Sequence, residues 1–586
     1  MSVEAISRPN THPDPRGQRL ESWKEIAAYL GRDMTTVRRW ERREGLPVYR
    51  MLHSKLGSVY AYTTELDAWR DGRATAGANE VADAHPVVEI ARPGARARRW
   101  VVVCGGALLA LLVVAYFGTR TYLTGVSGSK IKSLVVLPLT NLSGDPTQEY
   151  LAEGMTEALI GRLSSIHDLR VISRTTAMQF KNTPLSVPEI ARTLHVDAIV
   201  EGSVIRNASS IRVHAQLIRA ATDEHFWSET YDRELRDVLA LQSDVAQSIA
   251  RKVEITVTGE EHARLTAARS VSPDVYESYL KGRFNKHNSK AELDQSIAYF
   301  EDAIKKDPTF ASAYVGVAEA YDSLGTVFVG APPAEPRQKQ ISAARKALEL
   351  DPTNSEAHVL LADVLQRRWQ WAEAEAEYRR ALDLNPSDSA AHIGFALWLL
   401  CQGRTEEAVA WAKRARELDP LGNAGTSIGY ILFEARHHDE AIRAMRAVIG
   451  VRPDDASAYW FLGFALIAND EPGEAIPVLE KALSVSDRSL GVMGVLIRAY
   501  AHAGRRSDAL RMLEELRKRS QAGYVPAGAF VNACLGLGEN EQAFAWMERA
   551  YQEQSNILQF LKVHPFFDPL RGDARFANLV RRVGLG

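Results

Sequence analysis

The stretch 371–404, WAEAEAEYRRALDLNPSDSAAHIGFALWLLCQGR, decides the fold of most of this chain. The residues that follow repeat its pattern: Ala408 lies 34 positions after Ala374, and Pro420 lies 34 positions after Pro386. Proline ends a helix because it has no N–H with which to continue the hydrogen-bond ladder. Self-similarity at a fixed period therefore predicts a stack of similar helix pairs.

The same signals continue on both sides of this stretch. Prolines stand at matching positions in four units: Pro352, Pro386, Pro420 and Pro453. A small residue recurs every 33 or 34 positions: Ala374, Ala408, Ala441, Ala475, Ala509 and Ala543. Pro308 precedes Pro352 by 44 positions, which equals one unit and an insertion of ten around 331–336. The pattern resembles the tetratricopeptide repeat (TPR), in which small residues let two helices approach and a proline ends the second.

The TPR resemblance covers 273–555 and implies an α-solenoid. Eight units begin near Tyr276, Ala311, Ser355, Ser389, Ala424, Ala456, Leu490 and Ala527. Residues 556–586 are predicted to form a cap. Stacked repeats enclose a concave groove, so we expect a protein or peptide partner there. A solenoid that serves only as a rigid spacer is the alternative. Four aromatic residues are candidates for either the groove or the core, and motif position favours the core for the first two: Tyr314, Tyr321, Trp398 and Trp411.

Residues 131–258 show alternating strand and helix patterns. The apolar run 132–139, KSLVVLPL, predicts a buried strand, and two extended runs around the turn 207–210 predict a hairpin. The remaining predicted segments are strands at 169–173 and 225–230 and helices at 149–164, 187–194 and 235–255. Such alternation predicts a small α/β domain.

Several phrases of this α/β domain resemble the TolB N-terminal-like domain of bacterial cell-envelope proteins. They are VVLPLTNLSGDP at 135–146, YLAEGM at 150–155, DAIVEGS at 197–203 and WSETYD at 227–232. The resemblance implies an interaction or sensory module rather than an enzyme.

The stretch 100–118, WVVVCGGALLALLVVAYFG, has nineteen residues and no charge. A helix of this length reaches roughly 30 Å, the thickness of a bilayer core, so we predict a single transmembrane helix. A buried core helix or a signal peptide are the alternatives. Residues 1–18 are predicted to be a disordered leader and 73–99 a linker.

Charges on either side of 100–118 predict its orientation. Four arginines precede it closely and three basic residues follow it more sparsely: Arg92, Arg96, Arg98 and Arg99, then Arg120, Lys130 and Lys132. Because Lys and Arg accumulate on the cytoplasmic side, the bias favours a cytoplasmic N-terminus. We therefore expect a single-pass protein of the inner membrane, with its C-terminal region periplasmic or otherwise extracytoplasmic.

The segment 19–72 begins with signals of two short helices. Ser22 opens a capping-box pattern, and Gly31 ends the helix that follows. Asp33 is placed to cap a second helix over 34–44. Two short helices joined at a glycine are typical of the helix-turn-helix, in which the second helix reads DNA.

Extended runs at 48–52 and 58–62 predict a β-hairpin, and a short helix is predicted over 65–70. The order of elements resembles the winged helix-turn-helix of MerR-type and excisionase-type proteins. The residues that carry the resemblance are IAAYLGRDMTTVRRWERREGLP at 26–47, VYAY at 59–62 and LDAW at 66–69.

This resemblance implies DNA binding, with the second helix in the major groove and the hairpin on the backbone. The candidate DNA-binding residues are Thr35, Thr36, Arg38, Arg39, Arg42, Arg43, Arg50, His53 and Lys55. Arginine can bond bidentately to guanine or hold a phosphate. A solvated, charged helix is the alternative.

The sequence carries no evident catalytic, cofactor-binding or metal-binding motif. The loop 141–145 lacks the Gly-Lys-Ser/Thr of a phosphate loop, and no Gly-x-Ser-x-Gly elbow occurs. His437 and His438 lie at a helix–helix turn, where we expect a solvated pair. With 71 basic and 73 acidic residues, the net charge indicates no class of partner. We expect no enzyme activity, cofactor or metal, and free thiols at the three cysteines: Cys104, Cys401 and Cys534.

The sequence thus predicts a multidomain, mainly α chain with a winged helix-turn-helix, one transmembrane helix, a small α/β domain and an α-solenoid of TPR repeats. This order resembles membrane-anchored one-component regulators of the ToxR and CadC kind. The resemblance implies a transcriptional regulator that binds DNA and couples an outer sensing region to a cytoplasmic winged helix. Our hypothesis for the coupling is that an outer ligand changes the oligomeric state and brings two winged helices together, with a homodimer as the candidate assembly. The alternative is a cell-envelope TPR scaffold whose N-terminal domain binds protein.

Overall fold

A computed structural model describes most of the chain outside the leader and the segment 77–129. The described residues are 18–20, 22–50, 59–76, 130–207, 209–267, 269–284, 289–325, 332–422 and 424–586, without the side chains of 42–44, 50 and 72–76. The chain divides into two compact units, Met1–Ser127 and Gly128–Gly586, which are described separately.

The first unit contains three helices and three strands within its described residues. They are β1 Arg19–Leu20, α1 Trp23–Leu30, α2 Met34–Glu44, β2 Tyr49–Arg50, β3 Val59–Tyr62 and α3 Thr63–Ala76. The Ser22 hydroxyl accepts a hydrogen bond from the Glu25 amide, and Gly31 ends α1 with a φ of 64°. The Asp33 carboxylate accepts from the Thr36 amide at 2.9 Å. Both predicted helix starts are therefore confirmed.

A small core holds this unit together. Ile26, Val37 and Leu66 are fully buried in it, and the Trp40 and Trp69 rings lie 5.4 Å apart beside it. Strand β3 pairs antiparallel with both β1 and β2. Helix α3 continues to Ala76, into the predicted linker, because its last turns contain helix-favouring alanines. Membership of this unit in the winged helix family stays a prediction.

The membrane localisation requires a correction. In the part of the chain that the structure describes, no helix is both long and apolar enough to cross a membrane. The longest described helices have 17 residues, whereas a span needs about 20 predominantly apolar ones. The predicted helix at 100–118 lies outside the described residues. The single-pass membrane localisation is thus contradicted, and we do not retain it.

The second unit starts with a layer of strands and helices. They are β4 Ser133–Val136, β5 Thr140–Asn141, α4 Glu149–Ser164, β6 Arg170–Val171, α5 Arg174–Ala177, α6 Val187–Leu194, β7 Ala198–Asn207, β8 Ser210–Arg219, β9 Glu224–Glu234, α7 Val238–Lys252 and α8 Gly259–Thr266. The predicted alternation of strands and helices is confirmed, although β9 is longer than predicted and α8 was not predicted.

These strands form one mixed sheet in the order β6-β4-β7-β8-β9, with β5 beside β7. Strand β4 runs parallel to both neighbours, and β7, β8 and β9 run antiparallel. Gly202 of β7 has no room for a side chain, since a Cβ there would lie 2.2 Å from the His214 carbonyl oxygen. We call residues 130–267 the α/β layer.

Eight helix pairs follow in the described residues of 273–552, which we call the repeat region. The first and second helices of each pair are α9 Pro273–Phe284 and α10 Lys290–Lys306, α11 Ala311–Leu324 and α12 Ala334–Leu350, α13 Ser355–Arg367 and α14 Trp371–Leu384, α15 Ser389–Cys401 and α16 Thr405–Leu418, α17 Ala424–Glu434 and α18 His438–Val451, α19 Ala456–Ala468 and α20 Pro472–Val485, α21 Leu490–His502 and α22 Arg506–Ala522, and α23 Ala527–Leu537 and α24 Asn540–Gln552. The predicted repeat is confirmed.

Small residues permit the close approach of paired helices, as the sequence predicted. The recurring alanines are fully buried: Ala374, Ala408, Ala441, Ala475, Ala509 and Ala543. A Cβ on Gly394 of α15 would lie 2.4 Å from the ring of Tyr378 on α14. The repeats therefore depend on missing side-chain volume at each contact.

The α/β layer packs directly against the repeat region. Asp419, which is 3% exposed, accepts hydrogen bonds from the hydroxyls of Thr175 at 2.6 Å and Thr176 at 2.8 Å. The Ser387 hydroxyl donates to the Leu169 carbonyl at 3.1 Å. These bonds link α5 and the residue just before β6 to the loops between successive helix pairs.

The C-terminal segment 555–586 folds back onto the repeat region. It contains 3₁₀ turns at Asn556–Phe560 and Pro565–Leu570 and the helix α25 Ala574–Arg582. Arg337 of α12 donates to the Asn556 Oδ1 at 2.7 Å, and Trp371 of α14 donates to the Val583 carbonyl at 2.8 Å. The last residues of the chain thus contact its second and third helix pairs.

Candidate binding cavity in the repeat region

A cavity of about 360 Å³ lies between the repeat region and the C-terminal segment. The lining residues from the repeat region lie on the first helix of a pair or directly beside it. The first helices therefore line the inner face of the solenoid. The lining residues are Asp322, Gly325, Arg367, Tyr430, Ser457, Trp460, Phe461, Phe464, Gly491, Pro526, Gly528, Ala529, Asn532, Ser555, Asn556, Ile557, Phe560 and His564.

Aromatic rings form one wall of this cavity. The Phe461 ring lies 4.5 Å from that of Tyr430 and 5.2 Å from that of Trp460. Phe560, from the C-terminal segment, packs edge-on against Tyr430 at 5.4 Å. Such rings offer a large apolar surface and favour stacked or edge-to-face contact with a further ring.

Two glycines leave space in the cavity. A Cβ on Gly491 of α21 would lie 3.5 Å from the Trp460 ring, and a Cβ on Gly528 of α23 would lie 3.5 Å from the Ile557 side chain. Both distances are ordinary van der Waals contacts, so a larger side chain at either position would extend into the cavity.

The charged groups in the lining contact opposite charges. Arg367 donates to the Asp322 carboxylate, which also accepts from Gln340 at 2.9 Å. The His564 Nδ1 lies 2.8 Å from the Oε1 of Glu434, which is fully buried behind the wall. The cavity therefore presents little unbalanced charge to a ligand.

Asn532 is different from these groups. It is 4% exposed and lines the cavity, and its Oδ1 has no hydrogen-bond partner in the described structure. Burial and the Glu434 carboxylate raise the pKa of the adjacent Tyr430 phenol, which therefore stays protonated. The lining is mainly apolar, and the Asn532 Oδ1 is buried rather than open to the cavity.

The cysteines of the repeat region are free and buried, as predicted for these two positions. Burial raises the pKa of the Cys534 thiol to about 11 and that of Cys401 well above its ordinary value. Neither is a thiolate at neutral pH, and the thiolate is the reactive form. Cys104 lies outside the described residues.

Histidine, cysteine and carboxylate side chains do not gather as metal ligands in the described part of the chain: it has no group of three that could hold a metal ion. His437 contacts Glu440 at 3.5 Å, and His438 packs beside the Phe433 ring. Both histidines are half-buried, so the expected solvated pair is only partly solvated, and burial lowers the pKa of His438.

Six of the nine candidate DNA-binding residues, those between positions 35 and 43, lie on α2, and Arg50 lies on β2. Thr35, Arg38 and Arg39 are exposed, and the hydroxyl of the half-buried Thr36 donates to Asp33 at 2.7 Å. Arg42, Arg43 and Arg50 belong to described elements, but their side chains are not described. His53 and Lys55 lie outside the described residues. The structure brings Arg38 to within 5.4 Å of the Trp23 ring.

Sequence reasoning missed the cavity. The four aromatic residues that it singled out all pack against the core: Tyr314, Tyr321, Trp398 and Trp411. The sequence signal that could have revealed the cavity is the run AYWF at 458–461. Consecutive aromatic residues on one helix point in different directions, so they cannot all be buried in a single core.

Over part of its length the chain is similar to several known proteins. A protein of Rhizobium meliloti (strain 1021), provisionally named adenylate cyclase 3, is 32% identical over 252 residues, which are 42% of this chain and 42% of that protein. This chain thus spans about two fifths of the length of that relative. A thermophilic TPR protein from Thermus thermophilus is 17% identical, with a TM-score of 0.29, over 33% of this chain and 99% of that one. A TPR protein from Parabacteroides merdae ATCC 43184 is 15% identical, with a TM-score of 0.31, over 42% and 93%.

The repeat region also matches tetratricopeptide repeat families. One match covers residues 359–423 and 426–489, and a second covers 466–525. These matches fall on helices α13 to α22, where the 34-residue period is most regular. The resemblances proposed for 19–72 and 131–258 stay predictions. The C-terminal region of this chain contains tetratricopeptide repeats.

Proposed function

We propose that this chain is a protein-interaction scaffold that binds an extended peptide segment of a partner along the inner face of its repeat region. Stacked tetratricopeptide repeats commonly bind peptides or proteins in their groove. The α/β layer and the C-terminal segment brace this solenoid and leave part of its inner face open. The proposal assigns no catalytic role to the chain.

The observation that carries this proposal is the aromatic cavity on the first helices. Trp460 and Phe461 are only partly buried in it, although both are large and apolar. Exposed aromatic residues in a concave site supply most of the binding energy in many interfaces. Residues of six helix pairs meet at this site, so an occupant would contact distant parts of the solenoid together.

Peptide selection with the full chain tests this proposal. A displayed library of random twelve-residue peptides is selected against the protein, and the affinity of enriched peptides is measured by titration calorimetry. The change Trp460→Ala should weaken their binding about tenfold or more, because it truncates a central aromatic contact. Trp546→Ala is the matched control: this tryptophan lies on the second helix α24 and stacks on Phe530 at 4.0 Å, away from the cavity lining.

Two results would contradict the scaffold proposal. One is a selection that enriches no peptide. The other is a set of peptides whose affinity falls equally in the two tryptophan variants, since this would indicate a general loss of stability rather than the loss of a contact.

The first unit supports a second proposal, DNA binding through α2. The specific observation is that Thr35, Arg38 and Arg39 are exposed while Val37, between them, is fully buried. Two arginines on the free face of a second helix can contact phosphates or base edges. In fluorescence anisotropy with a 20-base-pair duplex, Arg38→Ala with Arg39→Ala should weaken binding at least about tenfold. Lys24→Ala, an exposed change on α1, should have little effect, and equal losses would contradict the proposal.

A further inference from the structure

The sheet of the α/β layer ends in a long strand whose outer edge meets no other strand of the described chain. Strand β9 has 11 residues, whereas an average strand has about five or six. Most of its residues are exposed, among them Ser228, Thr230 and Asp232. An open edge presents a row of N–H and C=O groups that can pair with another chain.

The hydrogen-bond pattern shows which groups of β9 point outward. The Leu235 amide donates to the Ser209 carbonyl at 2.8 Å, and such bonds involve every second residue of an antiparallel pair. The odd-numbered residues of 227–233 therefore bond to β8. The N–H groups of Ser228, Thr230 and Asp232 point away from β8, and none of these three has a hydrogen-bond partner among the described residues.

The opposite edge of the sheet, at β6, is covered by the repeat region. The Val171 amide donates to the Ser387 hydroxyl at 3.3 Å, and the Ser173 amide, just beyond β6, donates to the Leu418 carbonyl at 2.8 Å. Within the described residues, β9 is thus the edge at which this sheet could be extended.

We propose that β9 pairs antiparallel with β9 of a second copy of this chain, about a twofold axis at Tyr231. Residues that are equally far from Tyr231 along the strand then lie opposite each other in the two copies. The outward N–H groups would bond to carbonyls of the other copy and join the two sheets into one. This inference does not depend on the proposed scaffold function.

The sequence of β9 is complementary to itself in this register. Glu229 lies opposite Arg233 of the other copy, so the pairing contains two contacts between opposite charges. Ser228 lies opposite Glu234, and Thr230 lies opposite Asp232, so hydroxyl donors face carboxylate acceptors. Arg233 contacts Asp244 of its own chain at 2.9 Å and still exposes 46% of its side chain.

Other registers of the same strand are less favourable. A twofold axis at Glu229 or at Asp232 would place that carboxylate opposite its own copy, and like charges in this position are destabilising. An axis at Thr230 would form neither contact between opposite charges. The charge pattern of β9 therefore selects the register centred on Tyr231.

Charge reversal in the full chain tests this pairing by sedimentation velocity. The unaltered protein should sediment at micromolar concentration with twice the 64.9 kDa mass of one chain. Glu229→Arg and Arg233→Glu each place like charges opposite one another, so each should raise the dissociation constant of the dimer about tenfold or more. The double variant exchanges the two charges and should restore the dissociation constant to within about threefold of the unaltered value. Glu224→Arg, an exposed change on β9 outside the paired stretch, is the control.

A proline variant tests the backbone contact. Thr230→Pro removes an outward N–H and no bond to β8, and proline is tolerated in edge strands. This change should abolish the dimer and leave the thermal midpoint close to that of the Glu224→Arg control.

Three results would overturn the proposal. A full chain that sediments with the mass of one copy would exclude the dimer. A dimer that persists unchanged in both Glu229→Arg and Thr230→Pro would exclude β9 as its interface. Arg233→Glu and the double variant both lose the contact with Asp244, so equal dissociation constants for these two would exclude the charge pairing and its register.

Discussion

The contact between the α/β layer and the repeat region should depend on one carboxylate. Asp419 accepts hydrogen bonds from Ser173, Thr175, Thr176 and the Ala424 amide. The first three donors belong to the start of α5, and the last belongs to α17. The change Asp419→Ala removes all four bonds and leaves the fully buried Thr176 hydroxyl without this acceptor.

The magnitude follows from the number of bonds. The Ala424 bond lies within the repeat region, so three of the bonds join the two parts. At about 1 kcal/mol net for each buried hydrogen bond, these three contribute about 3 kcal/mol. We expect a loss of about 2–3 kcal/mol in the free energy that keeps the two parts docked. This corresponds to local opening that is on the order of 30- to 100-fold more frequent.

Hydrogen–deuterium exchange of the full chain measures this opening. The Ser173 amide donates to the Leu418 carbonyl at 2.8 Å, and the Leu421 amide donates to the Thr176 hydroxyl at 3.0 Å, so both amides report docking. Exchange there should accelerate in Asp419→Ala and only modestly in Ser173→Ala, which removes the Ser173 hydroxyl alone. Exchange that stays within about threefold of the unaltered protein would refute this reasoning.

Two further predictions concern the α/β layer. Gly202→Ala should lower the free energy of unfolding by about 3 kcal/mol or more, because the new Cβ would overlap the His214 carbonyl in the β7–β8 pair. Gly161→Ala is the control: a Cβ there has free space around it, so this change should not lower the thermal midpoint. Burial opposes ionisation of Glu261, but hydrogen bonds, chiefly from the His167 amide, prevail and lower its pKa to about 2. The ionised form therefore stabilises the fold above the ordinary pKa of about 4.5, and this stability is lost as pH falls toward 2. Thermal midpoints between pH 6 and 3 should fall less in Glu261→Gln than in the unaltered chain, and equal slopes would contradict the assignment.

The helices of the repeat region could be predicted from the sequence because their signals are local and periodic. The small residue at Ala374 and its successors marks the helix contacts, and a proline marks the end of the second helix in the first five pairs. The caps at Ser22 and Asp33 were predictable for the same reason, since each involves residues only three positions apart.

The docking contacts and the cavity could not be predicted in this way. Asp419 resembles the acidic residue that precedes proline in other units, and its partner Thr175 is 244 positions away. Asn532 is one polar residue among the apolar residues of α23, and only the fold shows that this residue lines a cavity and that its oxygen is buried without a partner. Such features depend on contacts between distant segments, which periodicity does not encode.

Site-specific photocrosslinking tests the central claim most directly. A benzophenone amino acid replaces Trp460 in the full chain, and an enriched peptide is added and irradiated. A scaffold that binds peptides along its inner face should form a crosslink from position 460 and none from Lys413, an exposed position on the second helix α16. Equal crosslinking from the two positions, or crosslinking from Lys413 alone, would contradict peptide binding on the inner face.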